Sequence, residues 1–320
     1  MIDVIVPIYN TNVDDLNRCF TSINMQDYDD YKVYLIDDGS SGEIASFLDQ
    51  YANNHSKYNV IHEVNSGVSH ARNNGIENSN SPYIAFVDSD DTIEKSFLRE
   101  AFELITTNDL DLVIGGFNEI NNGVVVSTRS SNNDLIIYDK SNMIEFIDKL
   151  ISSKNTNDNN IIGNTPVGRT CTRLFKRDLI KNVKFNEKVS MSEDTLYMIE
   201  ISKYISRLGI VNNIWYNYYQ NDYSVTHNKI ADKQVNKTLS FIYEIIRLIN
   251  EESNPRIIKS LKYRIFKSIY NIEEYIDLVD EDTKNKIIDI FNKYVDEKIF
   301  DDYINVKEKE RSVYNKLLEK

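Results

Sequence analysis

The sequence predicts an α/β fold: a mixed, mostly parallel sheet flanked by helices, with a C-terminal helical region. Three observations predict it. Through residues 1–117, short runs apolar on both faces alternate with segments of helical period, the pattern of strands buried between helix layers. Four of these runs end directly in polar clusters, the place where ligands sit in such sheets. Beyond residue 230 the apolar residues recur at helical spacing.

Asp3–Pro7 reads as a first strand, rich in β-branched residues. Val13, Leu16, Phe20 and Ile23 then fall on one helical face, with Asp14 and Asp15 in the first turn, where the helix dipole favours acids. Val33–Ile36 is a second strand, and Ile44, Phe47, Leu48 and Tyr51 form the next helical stripe. Val60 and Ile61 mark a short third strand, and Ser66–Asn78 reads as a helix with Val68, Ala71 and Gly75 on one side. Tyr83–Val87 is a fourth strand, followed by a helix bearing Phe97, Leu98, Ala101, Phe102 and Ile105, then a fifth strand at Leu112–Ile114. From 118 to 230 the rhythm is less regular. Ser153–Asn160 is polar and reads as a surface loop or a lid, and Ile214–Tyr219 as an aromatic strand. Val235, Leu239, Ile242, Ile246 and Ile249 open the helical tail, which continues through Ile257–Ile269 and Ile287–Tyr294.

A net charge of −13 argues against a nonspecific nucleic-acid binder, which needs a basic face. Cys19 and Cys171 lack metal-ligand spacing and read as reduced structural residues. The N-terminal stretch has no basic leader, and no run of about 18 apolar residues occurs. A cytoplasmic protein is expected, with docking at the inner face of the membrane left open.

Four clusters follow four strands. Pro7 fixes the backbone at the end of the first, and Tyr9 could lie against a base or ribose or belong to a plain turn. Asp37 and Asp38 follow the second; a carboxylate can accept the N3–H of uracil, and an Asp-Gly turn is the bland alternative. Asn65–Gly75 follows the third, where a small-residue loop opens a helix whose start favours anions. Arg72 would point at the cleft and pair with a phosphate or a catalytic carboxylate. Asp88, Ser89, Asp90 and Asp91 follow the fourth. In an extended segment Asp88 and Asp90 would face one spot, and paired carboxylates at a buried strand end call for a cation. A hard ion such as Mn²⁺ or Mg²⁺ takes such oxygens and also bridges diphosphates.

The segments VIVPIYN, IDDGSS, NSGVSHARNNG and YIAFVDSDD, in this order and at these intervals, resemble the nucleotide-binding half of family 2 glycosyltransferases of the GT-A fold, a Rossmann-like architecture. Bacterial transferases of cell-surface polysaccharides, wall polymers and adhesins are of this kind. The resemblance covers roughly residues 1–215. It implies a catalytic domain over 1–230, with 1–117 holding the nucleotide and 118–230 facing the acceptor, and a helical region over 231–320. By the same resemblance Pro7, Tyr9, Asn10, Asp38, Asn65, Gly67, Arg72, Asp88 and Ser89 would line the nucleotide pocket. Asp88 and Asp90 would be the ends of the DxD motif, with Asp90 the direct ligand of Mn²⁺ or Mg²⁺. The Arg173–Arg177 segment matches a Lys-Leu-Tyr-Arg-like stretch loosely, with Arg173 in place of the usual Lys. Ser192–Thr195 matches a Glu-Asp pair.

Read from the residues alone, Ser192 could cap a helix carrying Glu193 and Asp194 in its first turn. The resemblance instead makes Asp194 the general base of an inverting transfer from a UDP-sugar to an acceptor hydroxyl. Glu193, Arg173 and Trp215 would then stand on the acceptor side. His227 is a candidate third metal ligand or a structural histidine. Trp215, Tyr216, Tyr218 and Tyr219 could stack on a sugar or pack in the core.

The expected partners are a UDP-sugar and a glycan, lipid-linked or glycoprotein acceptor, not nucleic acid. The helical tail is a candidate for self-association or peripheral membrane contact. Two alternatives remain: a nucleotidyltransferase of sugar-nucleotide synthesis, or a non-catalytic nucleotide-sugar-binding subunit. The first usually has a Gly-rich basic loop after its first strand, where this chain has Ile8-Tyr9-Asn10-Thr11.

Overall fold

The computed structural model describes residues 1–152, 167–220, 231–300 and 308–319. The chain opens as β1 (Ile2–Ile8), α1 (Val13–Asn24), β2 (Tyr31–Asp37), α2 (Gly42–Asn54), β3 (Tyr58–His62), α3 (Val68–Asn78) and β4 (Tyr83–Phe86). It continues with β5 (Thr92–Ile93), α4 (Phe97–Thr107), β6 (Leu112–Asn121), β7 (Val124–Arg129), β8 (Leu135–Tyr138) and α5 (Met143–Ser152). Then come β9 (Arg173–Lys176), α6 (Arg177–Ile180), α7 (Glu193–Ser202) and β10 (Leu208–Tyr219). The tail holds α8 (Ala231–Glu251), α9 (Pro255–Asn271), α10 (Glu281–Tyr294) and α11 (Glu308–Leu318).

These strands form one sheet in the order β3-β2-β1-β4-β9-β6-β10-β5, with β7 beside β6 and β8 beside β10. The first four are parallel. β9 then runs antiparallel between β4 and β6, and β10 returns parallel to β6. The sheet is therefore parallel on its N-terminal side and mixed beyond. Ile8 pairs with Asp37, so β1 and β2 end level and present their loops together. β6 runs to Asn121, well past the expected end at Ile114, because Gly115 and Gly116 interrupt the apolar pattern without interrupting the strand. A Cβ on Gly115 would meet Trp215 Cε3 at 2.3 Å, so the glycine makes room for the indole.

Each sheet face carries its own core. α1, α2 and α4 pack over one face with Val4, Val6 and Trp215. α3, α5, α7 and the tail helices cover the other, in a cluster that runs from Ile5, Phe86 and Leu112 to Phe266, Phe300 and Leu317. Asn254 caps α9, accepting from Arg256 N and Ile257 N, with Pro255 in the first turn. Among the described residues no helix is long and apolar enough to cross a membrane.

Candidate active site

The loops after β1, β2 and β3 are stitched to one another. Ser40 Oγ accepts from Asn10 N (2.9 Å), and Asn10 Oδ1 accepts from Ser41 N (2.8 Å). Asp37 and Asp38 are both buried. Asp37 accepts from Ser40 N (2.9 Å) and shares a 2.6 Å bond with His62 Nδ1. Asp38 accepts from Ser66 N (2.6 Å), Gly67 N (2.9 Å) and Asn65 Nδ2 (3.3 Å). Gly67 turns at φ 95°, a region open to glycine, and this aims its N–H back at Asp38. α3 starts at Val68, so Ser66 and Gly67 belong to its entry loop. Pro7 lies inside β1 and is buried, whereas Tyr9 is 56% exposed at the mouth of the cleft.

The acidic loop after β4 is a turn. Asp91 N donates to Asp88 O (3.1 Å), so the alternation of an extended chain does not set the directions of Asp88 and Asp90. Neighbouring elements hold the turn. Ser89 Oγ shares a 2.6 Å bond with Thr11 Oγ1. Arg18 donates to Asp90 O (2.6 Å) while lying over the Tyr219 ring. Tyr216 OH accepts from Asp88 N (3.1 Å) and donates to Asp91 Oδ2 (2.7 Å), and Asp91 Oδ1 accepts from Tyr219 N (2.8 Å). Burial, then Asp90 and Asp88, push the Asp91 carboxyl well above the usual carboxylate range. Asp91 and Tyr216 thus form the buried base of the loop, a pair the sequence reading did not single out. The third acid of the run and the tyrosine of the aromatic strand were the available signals.

Arg72 joins this loop to the start of α7. Buried on α3, it donates through Nη2 to Asp88 Oδ1 (2.9 Å) and through Nη1 to Asp194 Oδ1 (2.7 Å) and Glu193 Oε1 (3.3 Å). Burial opposes its charge, but Asp194, Asp88 and Glu193 outweigh that and raise its pKa above the ordinary arginine value. Of the two partners expected for Arg72, it meets the carboxylates. Asp194 also accepts from Thr170 Oγ1 (3.0 Å) and Thr170 N (3.2 Å). Glu193 beside it is pushed up, first by burial and then by Asp194. Ser192 stands at the N-cap position but at φ 61° and makes no side-chain capping bond, so Arg72 and Thr170, not a serine cap, organise this helix start.

Two expected acceptor-side residues lie elsewhere. Trp215 is fully buried on the far face of the sheet, packed on Phe97 and donating to Glu100 Oε2 (2.9 Å), so it cannot stack on a sugar. Its strand neighbour Tyr216 is buried as well. Arg173 is fully buried in β9, where burial lowers its pKa to about 10. It is closed off from solvent, with Asp194 and Arg169 among the charges that act on it. Arg169, which the sequence reading passed over, lies over the rings of Phe117 (4.7 Å) and Tyr218 (4.5 Å), next to Thr170. His227 and Ser153–Asn160 fall outside the described residues. Cys19 and Cys171 are free and buried, as expected.

A parallel sheet whose strand ends gather an acidic turn, a helix-borne carboxylate and a bridging arginine is the architecture of a GT-A transferase. The model of Glycosyl transferase family 2 matches residues 3–184. The chain belongs to that family of transferase enzymes. It is 27% identical over 228 residues to the uncharacterized glycosyltransferase EpsJ of Bacillus subtilis, covering 71% of this chain and 63% of EpsJ. It is also 27% identical over 255 residues to the poly(ribitol-phosphate) beta-N-acetylglucosaminyltransferase TarP of Staphylococcus aureus, covering 77% of this chain and 72% of TarP. The fold resembles residues 1–349 of S. aureus TarS in complex with UDP-GlcNAc, with TM-score 0.73 and 17% identity over 99% of this chain and 90% of that one. It also resembles the mannosyltransferase PcManGT of Pyrobaculum calidifontis, in complex with GDP-Man and Mn²⁺, with TM-score 0.55 and 13% identity over 99% of this chain and 84% of that one.

Proposed function

We propose that this chain transfers a sugar from a UDP-sugar to an acceptor hydroxyl by single displacement, inverting the anomeric carbon, with Asp194 as general base. The observation that carries the reading is the Arg72 bridge between Asp88 and Asp194. Both carboxylates bond one guanidinium, so their oxygens lie within about 8 Å of each other by hydrogen-bond geometry. A sugar held against the Asp88 loop would then have the base within reach of its opposite face. Thr170 and Arg72 orient the Asp194 carboxylate to accept the acceptor's proton.

Asp88 and Asp90 would hold a divalent cation. Among the described residues no trio of metal-ligating side chains occurs. Two carboxylates nevertheless suit Mg²⁺ or Mn²⁺, which complete their shells with phosphate oxygens and water. When bound, such an ion supplies positive charge to the departing diphosphate. A carboxylate offers roughly four acceptor sites. Asn65, Ser66 and Gly67 use three on Asp38, which leaves one for the N3–H of uracil. Pro7, Tyr9 and Asn10 would form the adjoining wall of the nucleotide pocket.

The TarS complex with UDP-GlcNAc favours UDP as the carrier. The acceptor we assign is a surface polysaccharide or a lipid- or protein-linked glycan, met in the cytoplasm or at the inner membrane face. Calorimetry with UDP and Mn²⁺, paired with transfer assays, tests this. Asp90→Asn is expected to weaken metal-dependent UDP binding and nearly abolish turnover. Asp194→Asn is expected to keep UDP binding while losing on the order of 10²–10⁴-fold in transfer. Full activity in either variant would remove the role given to that residue.

A further inference from the structure

A cavity of about 280 Å³ opens between α8 and α9 beside Met191 and Ser192, directly before the Glu193–Asp194 pair. Its walls are unusual for two packed helices. Gln234, Thr238 and Phe241 line it from α8, and Arg264, Lys267, Ser268 and Asn271 line it from α9. Both sets keep to i, i+3 or i+4, i+7 spacing, so each is one helical face turned toward the other helix. Facing stripes at such spacing are normally apolar; here most positions carry hydroxyl, amide or guanidinium groups. Thr238 is 1% exposed, and among the described residues its hydroxyl has no hydrogen-bond partner. Natural folds rarely leave such a group unsatisfied without a reason. Tyr275 adds an aromatic wall.

Convergent hydroxyl, amide and planar charged groups beside an aromatic ring match the chemistry of a sugar, which presents hydroxyls on its rim and C–H groups on its faces. Met191 and Ser192 lead directly into α7, so the cavity borders the helix start that carries Asp194. We propose that the cavity is a carbohydrate subsite that holds a sugar residue of the acceptor glycan while a neighbouring hydroxyl is presented to Asp194. This rests on the reading of Asp194 as the base.

Met191 and Ile272 line the cavity and supply methyl reporters. The full chain, ¹³C-methyl-labelled at Met and Ile and saturated with UDP and Mn²⁺, is titrated by NMR with methyl glucoside, methyl galactoside and methyl N-acetylglucosaminide. At least one is expected to shift Met191 and Ile272 saturably while Ile23, on the opposite face of the sheet, stays fixed. Thr238→Val removes an unsatisfied hydroxyl, so its Tm should equal or exceed that of the parent, while sugar binding weakens about five-fold. Asn271→Ala provides a second variant with the same expected loss. If none of the three glycosides moves the cavity methyls, the subsite is wrong. The same follows if Thr238→Val lowers Tm and binds sugar undiminished. Failure of UDP itself to bind the parent would instead overturn the transferase reading, so the two failures separate.

Discussion

Arg72 gives the site its order, because one buried guanidinium serves Asp88, Glu193 and Asp194. Removing it leaves three carboxylates facing one another in a partly buried space. Arg72→Leu is therefore expected to lower stability by about 3 kcal/mol or more, read from urea unfolding. Arg72→Lys keeps the charge but cannot fork between Asp88 and Asp194, so its loss should fall mainly on turnover. An Arg72→Leu protein with unaltered stability would mean the carboxylates are held by other groups. His62 makes a pH-dependent contribution. Its burial lowers its pKa, but the hydrogen bonds it donates to Asp37 and Asp49 outweigh this and raise it above the usual histidine value. A raised folded pKa gives stability that is fully present below the unfolded value near 6.5 and is lost as pH rises through the folded value. Thermal melts should therefore decline through that window, and His62→Gln should flatten the decline. A variant whose pH profile overlays the parent's would show that His62 is not the source.

At the scale of elements, β10 braces the acidic loop from below. Tyr216 both accepts from Asp88 N and donates to Asp91. Tyr216→Phe leaves the buried Asp91 carboxylate with one bond from Tyr219 N and frees Asp88 N, a cost of about 1.5–3 kcal/mol. Because the loop carrying Asp88 and Asp90 loosens, KM for the donor should also rise. Equal Tm and KM in the variant would remove the brace. This arrangement marks how far the sequence could be read. Strand ends followed by Asp, Gly and Asn located the loops, because a buried parallel strand leaves polar residues only at its end. Which side chains meet across those loops depends on registers far apart in the chain. Tyr216 and Asp91 are separated by 125 positions, and β9 enters antiparallel between β4 and β6 with no local signal. For the same reason the sequence leaves Trp215 between sugar stacking and core packing and sets Arg173 on the acceptor side. An aromatic or basic residue on a two-sided strand gives no indication of which face it takes, and here both turn inward. Ser192 had the right type for a cap but sits at φ 61° and makes no side-chain capping bond.

At the scale of the whole molecule, the helical tail is joined to the sheet and its helices by a shared core. Helical periodicity located α8, α9 and α10, but it could not say what they pack against. Ile242, Ile245 and Leu248 of α8 and Leu261, Ile265 and Phe266 of α9 join Phe146 and Leu150 of α5 and Ile199 and Ile201 of α7 in one apolar cluster. Arg256 adds an ion pair to Asp148 at 2.8 Å, and Arg247 another to Glu200. Each large apolar side chain taken out of the interior costs about 1.5–3 kcal/mol. Exposing the faces of α5 and α7 together would exceed the roughly 5–15 kcal/mol by which a typical domain is stable. A chain ending at residue 230 is therefore expected to lose its cooperative melt, and its UDP binding with it. A chain ending at residue 307, which lacks only α11, should melt lower but still bind UDP, because α11 packs through Val313, Tyr314 and Leu317 onto the tail and not onto the strand-end loops. If the 1–230 fragment instead melts like the full chain and binds UDP with equal affinity, the tail is a separate module and the shared cluster adds nothing to the fold of residues 1–230.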